Sequence, residues 1–191
     1  RDYMEFGKPR YAFLVTGGNI DSMVAHYTAA KRRRSDDAYT PGGKAGRRPD
    51  RATIVYSRKL RQLYPDSNIV IGGLEASLRR FAHYDYWDDA VRPSILLDSQ
   101  ADLLLYGMGE KVITQLTQRL RHGEALETIR DLRGCCYLCR QEEIPQDSVS
   151  CASFHKVSEN KESYAKAHQI QTEWQDAVYG KTIVQKQTDT L

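Results

Sequence analysis

The sequence predicts an α/β protein built on a mainly parallel sheet with helices on both faces. Short, mostly apolar runs recur at residues 11–15, 69–71 and 101–106, as expected for strands that are buried on both faces. Each run leads into glycine, and a segment with helical spacing follows it. This alternation is typical of three-layer α/β folds. With 191 residues, the chain is long enough for one packed core, so we predict a single domain over 1–191.

The first strand, over residues 11–15, enters a turn at Thr16-Gly17-Gly18-Asn19. Asp21 is a plausible N-cap, and apolar residues then recur at helical spacing up to a basic stretch over 31–34, whose charges suit a helix C-terminus. Proline and three glycines among charged residues over 35–50 predict a long loop. A second helix is expected from about 50 to 64, and a strand over 69–71 follows the turn at 65–68.

The next strand is expected at 94–97 or, more strongly, at 101–106, followed by a helix from 110 to about 121. A short helix over 124–132 should lead into a cysteine-rich strand after Gly134. The tail, over 148–191, is predicted to hold a strand or extended stretch at 148–157. A helix capped by Ser158 and ending at Gly180, and an edge strand at 182–185, should complete it.

Three predicted strands end in glycine turns. Because the carboxyl ends of parallel strands share one edge of a sheet, the turns should lie side by side and form a crevice, which is the candidate binding site. Glycine lets the backbone approach a ligand closely, but it also serves ordinary tight packing, and both interpretations stay open. The candidate residues are Gly17, Gly18, Asn19, Gly72, Gly73, Gly107, Gly109 and Glu110.

A dense polar and aromatic segment at 75–87 follows the second glycine turn. If it is helical, Glu75 and Arg79 lie four residues apart and would pair on one face without any ligand. A surface binding role is the alternative, with Glu75, Arg79, Arg80, His83, Tyr84 and Asp85 as candidate ligand or interface residues. His83 and Asp85 would not face each other on a helix, which disfavours an acid–base pair.

Positive charge is concentrated in one segment of a chain whose net charge is +3. Residues 31–51 hold eight basic and three acidic side chains. This segment could contact phosphates through Lys44, Arg47 and Arg48, or it could be a solvated helix end and loop.

The four cysteines, at 135, 136, 139 and 151, do not form a disulfide scaffold. Cys136 and Cys139 have the spacing of a zinc pair, but a second pair is lacking. A buried strand with cysteines acting as small hydrophobic residues is the favoured interpretation, and no metal site is predicted.

Several enzyme motifs are absent from the sequence. It contains no phosphate loop, no Gly-x-Gly-x-x-Gly, no nucleophile elbow and no His-Glu-x-x-His. Catalysis by this chain alone is therefore not expected, and His26, His122, His155 and His168 are expected at the surface. The sequence shows neither a transmembrane stretch nor a signal peptide, which predicts no membrane contact and a cytoplasmic location.

Longer strings resemble the amino-terminal part of the YgiQ family of radical SAM proteins. They are GNIDSMVAHYT (18–28), DDAYTPGGK (36–44), RPDRATIVY (48–56), IGGLEASLRRFAHYDYW (71–87), SILLDS (94–99) and LYGMGE (105–110). The resemblance covers nearly the whole chain. It implies that the chain is a piece of a larger enzyme, in which three cysteines spaced Cys-x-x-x-Cys-x-x-Cys hold a [4Fe-4S] cluster that binds and cleaves S-adenosylmethionine. This chain lacks that motif, so the resemblance implies that the cluster lies beyond Leu191.

The resemblance also implies a flavodoxin-like fold, similar to a cobalamin-binding domain, whose Gly-Gly and Gly-x-Gly-Glu turns face the cofactor. Gly72-Gly73 and Gly107-Met108-Gly109-Glu110 match those turns. The Asp-x-His-x-x-Gly cobalt-ligand motif is missing, so His83 is not supported as a cobalt ligand. The resemblance further implies a strand and a helix before Arg1. Without them the sheet would be incomplete at its N-terminus, and its open edge would favour self-association.

Two functional hypotheses follow. The first is an accessory domain that docks substrate or cofactor beside a radical SAM domain further along the same chain, with the glycine turns and the 75–87 segment as its contact face. The alternative is a nucleic-acid (RNA) binding module that uses the basic 31–51 loop, or a free-standing nucleotide or cobalamin binder. Steep salt dependence of binding would favour the nucleic-acid hypothesis.

Overall fold

A computed structural model describes residues 2–176 and 178–188. Within this part of the chain the strands are β1 (Phe13–Thr16), β2 (Ile69–Gly72), β3 (His83–Asp85), β4 (Ala90–Arg92), β5 (Leu103–Leu105), β6 (Cys135–Cys136), β7 (Val149–Cys151) and β8 (Ile183–Gln185). The α-helices are α1 (Ser22–His26), α2 (Ala52–Leu63), α3 (Gly73–Leu78), α4 (Ile95–Ser99), α5 (Glu110–Arg121), α6 (Phe154–Glu159) and α7 (Lys161–Trp174). Short 3₁₀ helices cover Asp2–Met4, Pro41–Gly43, Leu126–Thr128 and Gln141–Glu143.

The chain divides into two compact units. The first comprises Arg1–Arg80 and Ile95–Tyr137, and the second comprises Phe81–Ser94 and Leu138–Leu191. The single domain over 1–191 stays a prediction.

The first unit contains a four-stranded sheet in the order β1-β2-β5-β6. β1 pairs in parallel with β2, and β2 in parallel with β5, whereas β6 joins β5 antiparallel. The prediction of an α/β fold with a mainly parallel sheet is confirmed. Because β6 is antiparallel to β5, the chain enters this strand at the edge of the sheet where β5 ends, with Cys135 opposite Leu105.

The two faces of this sheet carry separate hydrophobic clusters. Ile69 and Ile71 of β2 face one cluster, which includes Ile54 and Leu60 of α2 and Ile95 and Leu96 of α4. Val70 of β2, with Leu103 and Leu105 of β5, faces the other, which includes Val112 and Leu116 of α5. The alternation of side chains along a strand therefore places helices on both faces, as the continuous apolar runs predict.

β1 forms one edge of this sheet among the described residues. Val15 is buried against the α2 side, but Leu14 on the opposite side is 58% exposed. Leu14 borders a groove of about 400 Å³ that is also lined by Ile113 and Thr117 of α5. Self-association through this edge stays a prediction.

Three predicted segments of the first unit differ from the observed structure. The short helix expected over 124–132 is reduced to a 3₁₀ helix at Leu126–Thr128. The helix from Asp21 was expected to continue to the basic stretch at 31–34, but α1 ends at His26. The chain turns back because Thr28 N–H donates to Arg32 O (2.8 Å) and Arg34 N–H donates to His26 O (2.8 Å). The segment at 94–97, weighed as a strand, contributes to helix α4, and the stronger candidate supplies β5.

The second unit holds a β3–β4 hairpin, a parallel β7–β8 pair and helices α6 and α7. Its core contains Ala82, Val157 and Ala167. The predicted strand at 182–185 is present as β8, which pairs with β7. The expected cap, Ser158, is wrong, since it lies inside α6, which begins within the stretch predicted as a strand or extended over 148–157. The tail helix is α7 and begins later, because the Asn160 side chain accepts from Ser163 N–H (2.8 Å) and caps it. That helix ends at Trp174, before Gly180, and the predicted tail at 177 and 189–191 lies outside the described residues.

Candidate functional site

The three glycine turns meet at the carboxyl edge of the parallel strands. Thr16 at the end of β1 pairs in register with Gly72 at the end of β2. Ile71 pairs with Leu104, which places the end of β5 beside β2. The sheet therefore brings together Gly17, Gly72 and Gly107, as their positions after parallel strands predict.

Glu75 joins two helix N-termini at this edge. Glu75 lies just after the Gly72-Gly73 turn and is 2% exposed. Oε2 accepts a hydrogen bond from Ser22 N–H (2.8 Å), and Oε1 accepts one from Thr53 N–H (2.9 Å). The first turns of α1 and α2 carry unpaired amide groups and a partial positive charge, so a carboxylate satisfies both. The N-termini that could have held an external anion are thus occupied by the protein's own side chain.

The space around the first two glycine turns is filled by the chain itself. A Cβ on Gly17 would lie 2.7 Å from Glu75 Oε2, and a Cβ on Gly73 would lie 2.5 Å from Thr16 Oγ1. In contrast, a Cβ on Gly107 or on Gly109 would have no described atom within 4 Å beyond its chain neighbours. Tight packing therefore accounts for Gly17 and Gly73, and the open part of the edge is the turn at 107–110.

Arg79 pairs with Asp21 rather than with the carboxylate of Glu75. Its Nη1 donates to Asp21 Oδ2, and also to the backbone oxygen of Glu75 at 3.1 Å. Asp21 is the N-cap of α1 and accepts from Met23 N–H at 2.9 Å through its other oxygen. The expected side-chain pair of Glu75 and Arg79 is therefore wrong, because α3 ends at Leu78 and the guanidinium turns inward to the buried N-cap.

The basic loop is anchored by one of its own arginines. Arg48 forms a bidentate ion pair with Asp37, with three N···O distances of 2.9–3.0 Å. Its Nη1 also donates to Gly17 O at 2.8 Å, which ties the loop to the first glycine turn. Burial opposes the charge of Asp37, but hydrogen bonds from Tyr39 N–H and from Arg48 outweigh it and hold the pKa of Asp37 below its usual value.

The other two cations proposed for phosphate contact differ from Arg48. Lys44 and Arg47 are exposed. The loop around them is shaped by an isolated bridge between Asp36 and Lys44 and by Thr40 Oγ1, which donates to Asp37 O (3.0 Å). Sequence reasoning placed all three cations in one group, because a charge count does not separate a structural arginine from solvated ones.

A buried histidine was missed by the sequence analysis. His26 is 3% exposed, which contradicts its expected place at the surface. Its Nδ1 lies 2.7 Å from Asp50 Oδ1, and Tyr27 Oη donates to Asp50 Oδ2 at 2.7 Å. Burial alone would raise the pKa of Asp50, but the hydrogen bonds from Tyr27 and His26 lower it overall. The available signal for its burial was the spacing, since His26 falls one turn after the apolar Met23.

The residues at 80–85 are distributed between the two units. Arg80 stacks on Tyr106, with the guanidinium carbon 5.0 Å from the ring centre, and its Nη1 donates to Ser77 O at 2.7 Å. His83, Tyr84 and Asp85 form β3 in the second unit, where a helix was considered. Asp85 Oδ1 accepts from Trp87 N–H at 3.0 Å and so shapes the hairpin turn. Tyr84 Oη donates to Asp89.

The remaining candidates lie in the first and third glycine turns. Asn19 and Gly18 are exposed, and Gly18 adopts a φ of +103° over the Arg48 guanidinium. Gly109 is the N-cap of α5, and Glu110 is its exposed first residue. An acidic residue is favourable at that helix position without any ligand.

The cysteines do not suit a metal cluster. Burial raises the pKa of Cys135 to about 11, that of Cys136 to about 12 and that of Cys151 to about 11. Metal ligation requires thiolates, which such surroundings disfavour. Among the described residues no group of three or more His, Cys, Asp or Glu side chains could hold a metal ion. A [4Fe-4S] cluster therefore does not fit these residues. Over the same residues, no helix has the length and apolar character that a membrane span requires.

The fold and the edge define a class: a parallel α/β unit whose strand-end turns are tied together by buried carboxylates and arginines, open at one glycine turn. The chain belongs to the Radical SAM N-terminal family, whose model matches residues 1–191. A UPF0313 protein of Clostridium botulinum (strain 657 / Type Ba4) is 57% identical over 185 residues, covering 97% of this chain and 29% of that protein. A UPF0313 protein of Clostridium perfringens (strain 13 / Type A) is 53% identical over 186 residues, covering 97% and 28%.

The chain thus spans less than a third of the length of these relatives. No solved structure matches it. The family expected from the sequence strings is confirmed.

Proposed function

We propose that this chain is the accessory amino-terminal domain of a radical SAM enzyme, docking substrate or cofactor beside a catalytic domain further along the same polypeptide. One observation carries the proposal. The Radical SAM N-terminal model matches the chain from end to end, while the chain makes up only 29% of a relative that is 57% identical. An accessory role also suits this chain because its buried charged groups, such as Glu75 and Arg79, bind other parts of the chain and so serve its structure.

The proposed contact face is the carboxyl edge of the sheet, at the turn over 107–110. Support comes from the space around Gly107 and Gly109 and from the 85% exposure of Met108 between them. Open α/β sheets bind their ligands outside the carboxyl ends of the strands. The turns at Gly17 and Gly73 would act behind this face by fixing the strand ends.

The family suggests a [4Fe-4S] cluster and S-adenosylmethionine for the full-length protein. Since the cysteines of this chain do not fit the cluster, its ligands are proposed to lie outside residues 1–191. Cobalamin is a weaker proposal, because the sequence has no cobalt-ligand motif. The nucleic-acid alternative has lost one of its three cations, since Arg48 is held by Asp37 and Gly17 O.

The test uses the full-length polypeptide, reconstituted anaerobically with iron and sulfide. The proposal expects 5′-deoxyadenosine to form from S-adenosylmethionine under reduction, with cobalamin content read from the same sample. Gly109→Trp fills the open turn and should lower turnover at unchanged iron content. Val55→Trp, at a 41% exposed position on α2, is the control. If both variants turned over like the wild type, the edge would not be the docking face.

A further inference from the structure

Helix α3 presents the reverse of the usual surface pattern. Glu75 and Ala76 are buried, with exposures of 2% and 0%, while Leu74 and Leu78 are 46% and 60% exposed. A helix at a protein surface normally turns its apolar side inward and its charges outward. The two leucines are four residues apart and so share one side of the helix. The outward side of α3 is therefore apolar because its inward side serves the buried carboxylate.

The turn after β5 adds a third apolar side chain to this place. Gly107 N–H donates to Ser77 Oγ of α3 at 3.3 Å. The turn therefore contacts α3 at Ser77, which lies between the two exposed leucines in the sequence. The next residue, Met108, is 85% exposed. We call Leu74, Leu78 and Met108 the apolar corner. Single exposed apolar residues are ordinary, but a group of them at the carboxyl edge of a parallel sheet is typical of an interaction surface.

We infer that the apolar corner is an intramolecular interface that packs against the part of the same polypeptide outside residues 1–191. This inference rests on the proposed accessory role and adds which residues make the contact. The relatives are more than three times as long as the matched segment, so most of the polypeptide is available to cover it. Interfaces between domains of one chain commonly join such modest patches.

The chemistry of the corner indicates an apolar occupant. None of its three side chains carries a charge. Of the cations that follow α3 and Met108 in the sequence, Arg80 already stacks on Tyr106 and donates to Ser77 O, and Lys111 is exposed at the start of α5. Methionine is flexible and polarizable and adapts to an irregular apolar partner surface. The covering surface should therefore present aliphatic or aromatic side chains rather than a phosphate or a carboxylate.

Site-specific photocrosslinking of the full-length protein tests this inference. Met108 is replaced by p-benzoylphenylalanine, the protein is irradiated, and crosslinked peptides are identified by mass spectrometry. Val55 of α2, which is 41% exposed, receives the same probe as the control. We expect position 108 to give intramolecular adducts to peptides outside 1–191, several-fold more than position 55. If the probe prevents folding at 108, Leu74 takes its place.

Several results would overturn the inference. Adducts between two copies of the chain would make the corner a self-association surface, and adducts only within 1–191 would show that this chain covers itself. A yield no higher than that of the Val55 control would mean that the corner is free. A second variant, Leu78→Lys, should speed tryptic release of the domain from the full-length protein several-fold, whereas Val55→Lys should not.

The crosslinking result is separate from activity. Adducts outside 1–191 in a protein that has an assembled cluster but forms no 5′-deoxyadenosine would keep the interface and remove the proposed function. A wild-type protein that forms 5′-deoxyadenosine but gives no such adducts would keep the function and remove the interface.

Discussion

Arg79 donates a hydrogen bond to the carboxylate of Asp21, a residue 58 positions earlier in the chain, and both side chains are buried. Asp21 caps α1, and Arg79 also binds the backbone oxygen of Glu75. The carboxylate of Glu75 in turn caps both α1 and α2. The turns that follow β1 and β2 are thereby locked together by charged groups that do not reach solvent.

Removing the arginine of this pair should be costly. Arg79→Ala leaves Asp21 buried without its partner, and breaking a buried pair from one side typically costs about 3–5 kcal/mol. Urea unfolding followed by circular dichroism measures the loss. Lys166→Ala, which removes an exposed i,i+4 pair with Glu162, should change stability by less than about 1 kcal/mol. Equal effects of the two variants would contradict a structural role for the buried pair.

Replacing either of two glycines at the same edge by alanine should change the stability of the protein in opposite directions. Gly17→Ala drives a methyl group against Glu75 Oε2 and should destabilise by about 1–3 kcal/mol, the usual cost of overpacking. Gly109→Ala meets no described atom and has a φ of −79°, so it should be neutral or stabilise by up to about 1 kcal/mol. The same unfolding measurement compares them. A tolerated Gly17→Ala would mean that the Glu75 cap is loosely held.

Acid should destabilise the protein through Asp37. Its pKa is lowered in the folded state, so its contribution is present above the unfolded value of about 3.9 and is lost as the pH falls through the folded value. In Arg48→Ala, burial is left with less opposition, so the folded pKa of Asp37 moves up toward or beyond the unfolded value. The variant should be less stable than the wild type at pH 7 but should lose less stability as the pH falls. Arg47→Ala, an exposed neighbour, should keep the wild-type profile. The unfolding free energy of the three proteins is measured between pH 7 and pH 3. Identical pH profiles would exclude the Arg48–Asp37 pair as a cause of the acid destabilisation.

Three cysteines should be slow to react. The pKa values of about 11, 12 and 11 for Cys135, Cys136 and Cys151 leave little thiolate at pH 7.5. Alkylation by iodoacetamide should be at least about a hundredfold slower than for a free cysteine with a pKa of about 8.5. Peptide mapping of the native protein measures each rate, and the same protein in urea is the control. Rapid native alkylation at Cys136 would show that β6 opens readily.

Much of the first unit could be predicted because its strands are short, continuous and apolar. Ile69–Ile71 and Leu103–Leu105 are buried on both faces, and such runs are recognisable without knowledge of the partner strands. The end of α1 could not be predicted in this way. Tyr27 and Ala30 fit helical spacing, but the hydrogen bonds that reverse the chain at 28–34 depend on backbone geometry.

The site was predicted in part. The meeting of the glycine turns follows from the parallel sheet, whereas the partners of the charged residues do not follow from spacing. Glu75 and Arg79 satisfy a helix pairing rule, but each binds residues more than 20 positions away. The role of His26 was missed for the same reason, because its partner Asp50 lies beyond the loop that separates α1 from α2.

The central claim is that this chain is an accessory domain and that cluster chemistry resides elsewhere in the full-length polypeptide. The most direct measurement is 5′-deoxyadenosine formation by the reconstituted full-length protein, compared with a variant in which Cys135, Cys136, Cys139 and Cys151 are all alanine. We expect product from the wild type, and retained iron and product in the variant. An assembled cluster without product in the wild type, or loss of iron in a folded variant, would contradict it.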